Sequence, residues 1–155
     1  MDFLDKRMIF EEELMPLIRE CLAEGKTVCN VPFRGISMLP MLRQGKDTVN
    51  LSPLPFRLKK YDLPVYQRLS GQYVMHRVVE VKETHYVCLG DNTTDFEEIK
   101  PEQMIAVVSS FTRDGKRIST DAMPYQIYCR LWRKTRLIRK GIRRGKNWLR
   151  RKLKL

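Results

Sequence analysis

The stretch FRGISMLPMLRQGKDTV, residues 33–49, interrupts a run of hydrophobic residues and decides how the chain around it folds. Gly35 permits a tight backbone turn that a side chain would obstruct, and Pro40 cannot continue a helix or a strand ladder. Ser37 lies between these two residues. The sequence therefore predicts a bend between two strands that presents the Ser37 hydroxyl to a cleft.

Segments rich in β-forming residues lie on both sides of this bend. Gly, Pro, Asn and Asp separate them at short intervals, and hairpin turns are expected at residues 82–85 and at Asp114-Gly115. The expected strands cover residues 27–33, 47–52, 62–68, 72–82, 85–90, 104–112 and 116–120. Short strands at this spacing predict a mainly β fold, either a small β-barrel or a folded sheet, and not a βαβ array.

A helix is expected ahead of the strands, over residues 9–24. Pro16 should kink this helix or delay its start, and Gly25 should end it. The residues at helical spacing are Phe10, Leu14, Leu17, Ile18, Cys21 and Leu22.

The chain divides into three predicted regions: an N-terminal helix over 1–26, a β domain over 27–122 and a basic amphipathic helix over 123–155. The 155 residues include 30 Lys or Arg and 18 Asp or Glu, which gives a formal net charge of +12. The last region holds 13 of the basic residues and no acidic one, so 17 basic residues face 18 acidic ones elsewhere. The excess charge therefore belongs to the tail.

The cysteines and histidines suggest neither a disulfide framework nor a zinc site. The four cysteines, which contain no CxxC pair, are Cys21, Cys29, Cys88 and Cys129. We expect them to be small buried apolar groups, and no metal or cofactor is implied. The acidic N-terminus lacks the pattern of a signal peptide, and no run approaches about 18 apolar residues. We expect a cytoplasmic protein that lies peripherally on the inner face of a membrane.

Two residues are candidates for nucleophilic chemistry. Ser37 is a candidate nucleophile if a base lies nearby, because a free serine hydroxyl reacts weakly; the alternative is that it caps the turn SMLP. His76, in the longest predicted strand with Val74 and Val78 on its own face, is the candidate general base. The alternative is a hydrogen-bonded structural histidine. His85 lies in a predicted hairpin turn, where we expect it to be solvated.

A carboxylate is needed to orient the imidazole in such a site. Asp91 and Asp95 follow the end of a predicted strand, in the segment LGDNTTDFEEI. The alternative for either residue is an Asx-turn.

Three motifs in this order, GISMLP at 35–40, HRVVEV at 76–81 and GDN at 90–92, resemble the S24/S26 serine peptidase superfamily. That superfamily includes signal peptidase I and the self-cleaving SOS and phage repressors. The resemblance covers residues 27–112, which is most of the predicted β domain. It implies the signal-peptidase-like fold and a serine endopeptidase that cleaves a peptide or leader segment of a protein substrate.

The resemblance carries Ser37 over as nucleophile and His76 as base, since a histidine in place of the usual lysine is similar to archaeal and endoplasmic-reticulum signal peptidases. It implies that Arg77 is a supporting residue. The backbone N–H of Ser37 is a candidate oxyanion donor, because the tight bend would point it into the cleft.

The sequence does not decide which carboxylate orients the imidazole. The histidine-type relatives use an acid several residues beyond Gly-Asp-Asn, and Asp95 and Glu97 are the residues there. We expect Asp91 or Asp95 to fill the role.

The sequence departs from the superfamily in two ways. No membrane anchor precedes the serine, whereas ordinary signal peptidases have one, and the chain is short and lacks a large second β-domain. No DNA-binding domain precedes the β domain, so a repressor role fits poorly. A catalytically inactive peptide-binding member of the same fold and a self-cleaving regulator are the alternative functions.

The tail has the pattern of a helix that lies on a membrane surface, with apolar residues on one stripe and Lys or Arg elsewhere. The stripe consists of Ile127, Leu131, Ile138, Ile142, Leu149 and Leu153. Trp132 and Trp148 lie where an interfacial helix places its amphipathic rings. We therefore expect an anionic membrane surface as a partner. One alternative is a tail whose first half packs on the β domain while the rest is solvated. The other, a nucleic-acid arm, is less expected, because phosphate contacts need no apolar stripe.

Overall fold

A computed structural model describes residues 12–153 of the chain. In this part, a 3₁₀ turn (Glu12–Leu14) leads into helix α1 (Met15–Ala23), and nine strands and two further helices follow. The strands are β1 (Val28–Val31), β2 (Thr48–Ser52), β3 (Pro64–Gln67), β4 (Tyr73–Met75), β5 (Arg77–Val81), β6 (Tyr86–Leu89), β7 (Glu97–Ile99), β8 (Met104–Arg113) and β9 (Lys116–Ser119). Helices α2 (Met123–Lys134) and α3 (Arg136–Leu153) complete the fold.

The strands form two antiparallel sheets. The larger has the order β1-β2-β8-β3-β4 with β9 paired to β8, and the smaller has the order β5-β6-β7. Neither sheet closes into a barrel in the described part of the chain, so the folded-sheet form of the prediction is the one observed. Helices hold 31% of the residues and strands 30%, which makes the fold mixed rather than mainly β, because residues 123–153 are helical except for Thr135.

The longest predicted strand, residues 72–82, is divided in two. β4 pairs with β3 in the larger sheet, whereas β5 pairs with β6 in the smaller one. His76 is the single residue between them. The prediction of one continuous strand around this histidine is therefore wrong, since the chain changes sheets there.

The other predicted strands are present, and each of their ends lies within two residues of the prediction. β7 was not predicted. Both hairpins are confirmed: β5 and β6 are joined through the N–H of Lys82 and the carbonyl of His85, 2.9 Å apart. Asp114 and Gly115 turn between β8 and β9 with φ of 49° and 75°, the left-handed pair typical of a two-residue hairpin.

Helix α1 begins at Met15, so Pro16 lies in its first turn and delays the start of the helix as expected. The part of the predicted helix at residues 9–11 lies outside the described residues. Met15, Ile18 and Leu22 face the core, whereas Leu17 is exposed.

Each sheet contributes to a hydrophobic core. The principal core combines residues of α1, the larger sheet and α2, among them Ile18, Leu51 and Cys129. A second core packs on the smaller sheet and includes Val78, Cys88 and Ile99.

All four cysteines are free. Cys88 and Cys129 are buried as expected, Cys21 is half-buried, and the expectation is wrong for Cys29, which is exposed.

The tail forms two helices rather than the one predicted, because the first ends at Lys134 and Thr135 separates it from the second. The buried residues of α2 are Tyr125 and Cys129, whereas α3 buries none. Trp132 donates from its Nε1 to the backbone carbonyl of Asp91 at 2.9 Å, so it anchors the tail to the body. No helix of residues 12–153 has the length and apolar character needed to cross a membrane.

A buried ion pair holds α2 against the smaller sheet. Arg77 donates from Nε and Nη2 to the two carboxylate oxygens of Asp91, both at 2.8 Å, and both side chains are 3% exposed. Tyr125 accepts a third bond from Arg77 at 2.7 Å, and Tyr128 donates to Asp91 at 3.1 Å. Because buried charges are costly unless they are fully paired, this network fixes where α2 docks.

We expect Asp91→Ala to lower the free energy of unfolding by about 3–5 kcal/mol, since it leaves the buried Arg77 without its carboxylate. Urea unfolding followed by tryptophan fluorescence measures the change. Asp95→Ala is the matched control, because Asp95 is exposed and should cost less than about 0.5 kcal/mol. Equal losses in the two variants would contradict the role of the ion pair.

Candidate functional site

The predicted bend around Ser37 lies between β1 and β2. Gly35 has φ of 103°, a left-handed conformation that favours glycine, and its N–H donates to Gln44 Oε1 at 2.7 Å. Ser37 follows in a turn closed by the bond from the Leu39 N–H to the Ile36 carbonyl at 3.2 Å, and the bond from the Leu42 N–H to the Met38 carbonyl closes the next turn. The Ser37 side chain is not open to solvent, since the residue is 1% exposed.

The loop after β6 holds the Ser37 turn in place. Asn92 donates from its backbone N–H to the Ser37 carbonyl at 2.8 Å and from Nδ2 to the Ile36 carbonyl at 3.2 Å. A Cβ atom on Gly90 would lie only 2.8 Å from the Ser37 carbonyl oxygen. Glycine is therefore required at this close approach, which gives the Gly-Asp-Asn motif a steric reason.

Through the loop after β6, the same contacts connect the Ser37 turn to the strand that follows His76. Leu89, at the end of β6, pairs with Arg77, the residue after His76. Met38 and Met75, the sequence neighbours of the two candidates, both belong to the principal core.

His76 is held from one side of its ring. Its Nδ1 atom lies 3.2 Å from Glu97 Oε1 and 3.1 Å from the Tyr66 hydroxyl, and the residue is 2% exposed. The carboxylate contact assigns the proton of a neutral ring to Nδ1, which leaves a lone pair on Nε2. Nε2 is buried and has no hydrogen-bond partner in the described part of the chain, so it does not bond to the Ser37 hydroxyl.

Glu97 is fixed in turn by Arg68. The Arg68 Nε donates to Glu97 Oε2 at 2.8 Å, and Nη2 donates to Oε1. Burial alone would raise the pKa of Glu97, but the hydrogen bonds from His76 and Arg68 outweigh it and lower the pKa to about 2. Glu97 is therefore a carboxylate at any pH at which the protein would work.

The structure places neither expected aspartate beside His76. Asp91 faces Arg77 in the ion pair under α2, and Asp95 is exposed and accepts a bond from Thr94 Oγ1 at 3.3 Å. The expectation that one of them orients the imidazole is wrong, and Glu97 lies there instead. The reason is strand β7, which pairs Glu97 with Cys88 of β6. The sequence signal for that strand was its two-residue period, which places Glu97 and Ile99 on one face and Glu98 on the other.

Arg77, expected as a supporting residue, supports the Gly-Asp-Asn loop through Asp91 rather than the imidazole. His85 lies in its hairpin turn with a side chain 27% exposed, 3.1 Å from Thr84 Oγ1, so it is partly covered rather than solvated. Within residues 12–153, no group of three His, Cys, Asp or Glu side chains could hold a metal ion.

Two cavities flank the Ser37 turn and share Pro40 in their walls. One, of about 360 Å³, lies between the turn, the loop after β6 and α3. The other, of about 340 Å³, is apolar and lies between Met41, Phe111 and Tyr125. Neither is lined by Ser37 or His76.

The chain matches no protein-family model, no curated protein and no solved structure.

We expect Glu97 to make stability depend on pH. Its pKa in the folded chain is about 2, below the ordinary value of 4.5, so it stabilises the fold above pH 4.5 and loses this contribution as pH falls towards 2. The difference in unfolding free energy between the wild type and Glu97→Gln should therefore shrink over this range in urea titrations. Glu98→Gln controls for the loss of one carboxylate. A difference in unfolding free energy that stays constant from pH 4.5 to 2 would contradict the low pKa of Glu97.

Proposed function

We propose that this protein is a serine endopeptidase of the signal-peptidase-like class, which cleaves a peptide or leader segment. Ser37 is the nucleophile, His76 is the general base, and Glu97 orients the imidazole. One observation carries the proposal: a buried histidine with Nδ1 held by a charged carboxylate and Nε2 left without a partner among the described residues. Buried polar atoms are rarely left unpaired, and a general base needs a free lone pair.

The proposed reaction follows from these positions. The Ser37 hydroxyl attacks the carbonyl carbon of the scissile peptide bond and transfers its proton to His76 Nε2. The imidazolium that forms is stabilised by Glu97 and donates this proton to the leaving amine, which produces an acyl-serine ester. Water, deprotonated by His76, then hydrolyses the ester and restores Ser37.

Arg68 holds Glu97 in position and in its charged form. It donates two hydrogen bonds to Glu97 and helps to keep the pKa of Glu97 low, so the carboxylate stays charged while it holds the imidazole. Tyr66 adds a second contact to Nδ1 and keeps the ring from rotating.

A second candidate is a peptide-binding protein without turnover. The nearly complete burial of Ser37 and His76, and the missing bond between them, favour it. Reaction with a fluorophosphonate probe separates the two functions, because only a serine with an active base is phosphonylated readily.

We expect the wild type to be labelled and Ser37→Ala not to be. His76→Ala should slow labelling by roughly a hundredfold or more. Glu97→Gln should slow it by a similar order, since the imidazole loses its orienting charge. Labelling rates are measured by intact mass, and circular dichroism checks the fold of each variant.

Glu98→Gln is the control for Glu97→Gln, because Glu98 is the exposed neighbour on the same strand. On a cleaved peptide, Ser37→Ala, His76→Ala and the double variant should have about equal residual rates, as expected of residues that act as one unit. Labelling of the Ser37→Ala variant at the wild-type rate would reject Ser37 as the nucleophile.

We also propose that α3 binds an anionic membrane surface, on the cytoplasmic side. The apolar stripe continues on α3 through Ile138, Ile142, Leu149 and Leu153, each more than half exposed, and Trp148 is 57% exposed. The helix carries no acidic residue. Lys and Arg near anionic lipid contribute about 1 kcal/mol each, and burial of the stripe adds about 25 cal/mol per Å².

We expect the full chain to co-sediment with anionic vesicles and not with neutral ones. Because the Debye length is about 3 Å at 1 M salt, binding by charge alone should vanish there, whereas an inserted stripe should retain part of it. The stripe variant is Ile138→Gln/Ile142→Gln/Leu149→Gln. It keeps every charge and should lose the part of the vesicle binding that survives high salt.

Phe56→Gln/Leu69→Gln is the control, since both residues are exposed and lie outside the tail. If the stripe variant sediments like the wild type at every salt concentration, insertion of α3 is ruled out. Tighter binding to duplex DNA than to the vesicles would assign the tail to nucleic acid.

A further inference from the structure

The larger cavity beside the Ser37 turn has a basic wall made by one face of α3. Arg136, Arg139, Lys140 and Arg143 line it, and their spacing of three, four and seven residues places them on the same side of the helix. The opposite wall consists of Leu39 and Pro40 from the turn and of residues 91–94 from the loop after β6.

Two of these arginines are held in position by aromatic rings. The Arg139 guanidinium lies 3.4 Å from the Trp132 ring centroid and donates to the Trp132 carbonyl at 2.6 Å. Arg136 lies 4.4 Å from the Phe96 ring centroid and donates to the Thr94 carbonyl at 2.8 Å. Their charges are therefore pre-organised, which lowers the entropy cost of binding an anion.

Within residues 12–153, no carboxylate forms an ion pair with the four basic side chains of this wall, and Asp95 and Asp91 act on Arg136 and Arg139 only at longer range. The Nε atom of Arg136 is buried without a hydrogen-bond partner in the described residues. Burial lowers the pKa of both Arg136 and Arg139, and the neighbouring Arg133 lowers that of Arg136 further. Asp91 is the carboxylate in the cavity lining, and its two oxygens are already engaged by Arg77. The wall thus has an excess of donors over acceptors.

We propose that this cavity binds an acidic segment of the peptide substrate, with Asp or Glu side chains seated among Arg136, Arg139, Lys140 and Arg143. The inference rests on the proposed peptidase function and adds the class of substrate. The cavity wall begins at Leu39, two residues after Ser37. A peptide whose scissile bond reaches Ser37 therefore has its neighbouring residues within reach of the basic wall, on one side of the cleavage point.

A lipid headgroup fits this cavity less well. The apolar stripe of α3 passes through Ile138 and Ile142, which are 65% and 56% exposed. At about 100° per residue, the midpoint of Ile138 and Ile142 lies about 130° around the helix from the midpoint of Arg136 and Arg143. A lipid with its chains along the stripe would have to place its headgroup across the width of the helix.

The test measures binding separately from turnover, in the full chain with Ser37→Ala. The probes are short fluorescein-labelled alanine-glycine peptides that carry an Asp-Asp pair or a matched Asn-Asn pair, followed by fluorescence anisotropy. We expect the acidic peptide to bind roughly tenfold more tightly. Lys140→Gln/Arg143→Gln should remove most of this preference, and neither side chain takes part in a hydrogen bond or ion pair with the described residues.

Arg144→Gln/Lys146→Gln is the matched control, because it removes the same two charges from parts of α3 outside the cavity. It should change the affinity by less than about twofold. Equal binding of the two peptides, or equal losses in the two double variants, would overturn the proposal in favour of general charge attraction. Displacement of the peptide by glycerol 3-phosphate at a lower concentration than by unlabelled acidic peptide would assign the cavity to a headgroup and also overturn it.

The two proposals fail in different ways. If the Ser37→Ala chain binds the acidic peptide selectively but the wild type is not labelled by fluorophosphonate, the cavity assignment stands and the peptidase does not. If the wild type is labelled but the chain shows no preference for the acidic peptide, the peptidase assignment stands and the cavity assignment does not.

Discussion

The buried ion pair between Arg77 and Asp91 is the constraint on which the rest of the structure depends. It joins a strand of the smaller sheet, the loop that supports the Ser37 turn, and the first helix of the tail. Two charges in an apolar interior are tolerated only when every strong donor and acceptor is used, so these three elements must assemble together. The first helix of the basic tail is consequently part of the folded body, and the bond from Arg136 to the Thr94 carbonyl extends this attachment into α3.

Strands could be predicted from the sequence where a local pattern defines them, as in β2, β5 and β8. The division at His76 could not, because β-forming residues continue on both sides and only pairing with distant strands shows that the chain changes sheets. β7 was missed because its three residues include two glutamates, which have low strand propensity. The break between α2 and α3 has no proline or glycine to mark it. Bonds from Arg139 to the end of α2 accompany it.

Sequence spacing singled out Ser37 and His76 as candidates because each lies in a short motif, whereas the close approach at Gly90 became visible only in the structure. The spacing could not choose the acid, since Asp91 and Glu97 lie within six residues of each other. The choice is made by two arginines, each of which engages one carboxylate: Arg77 binds Asp91, and Arg68 binds Glu97. Which arginine lies beside which acid depends on strand register, and a linear pattern carries no record of it.

Because His76 lies between the two sheets, the contacts of its ring depend on how the sheets lie against each other. Tyr66 belongs to the larger sheet and Glu97 to the smaller one, and both contact the same ring nitrogen. A small rotation of one sheet against the other would lengthen one contact and shorten the other, so the imidazole would exchange a neutral partner for a charged one. A force on either sheet would therefore change which side chain holds the His76 ring, even where it is applied far from the ring itself.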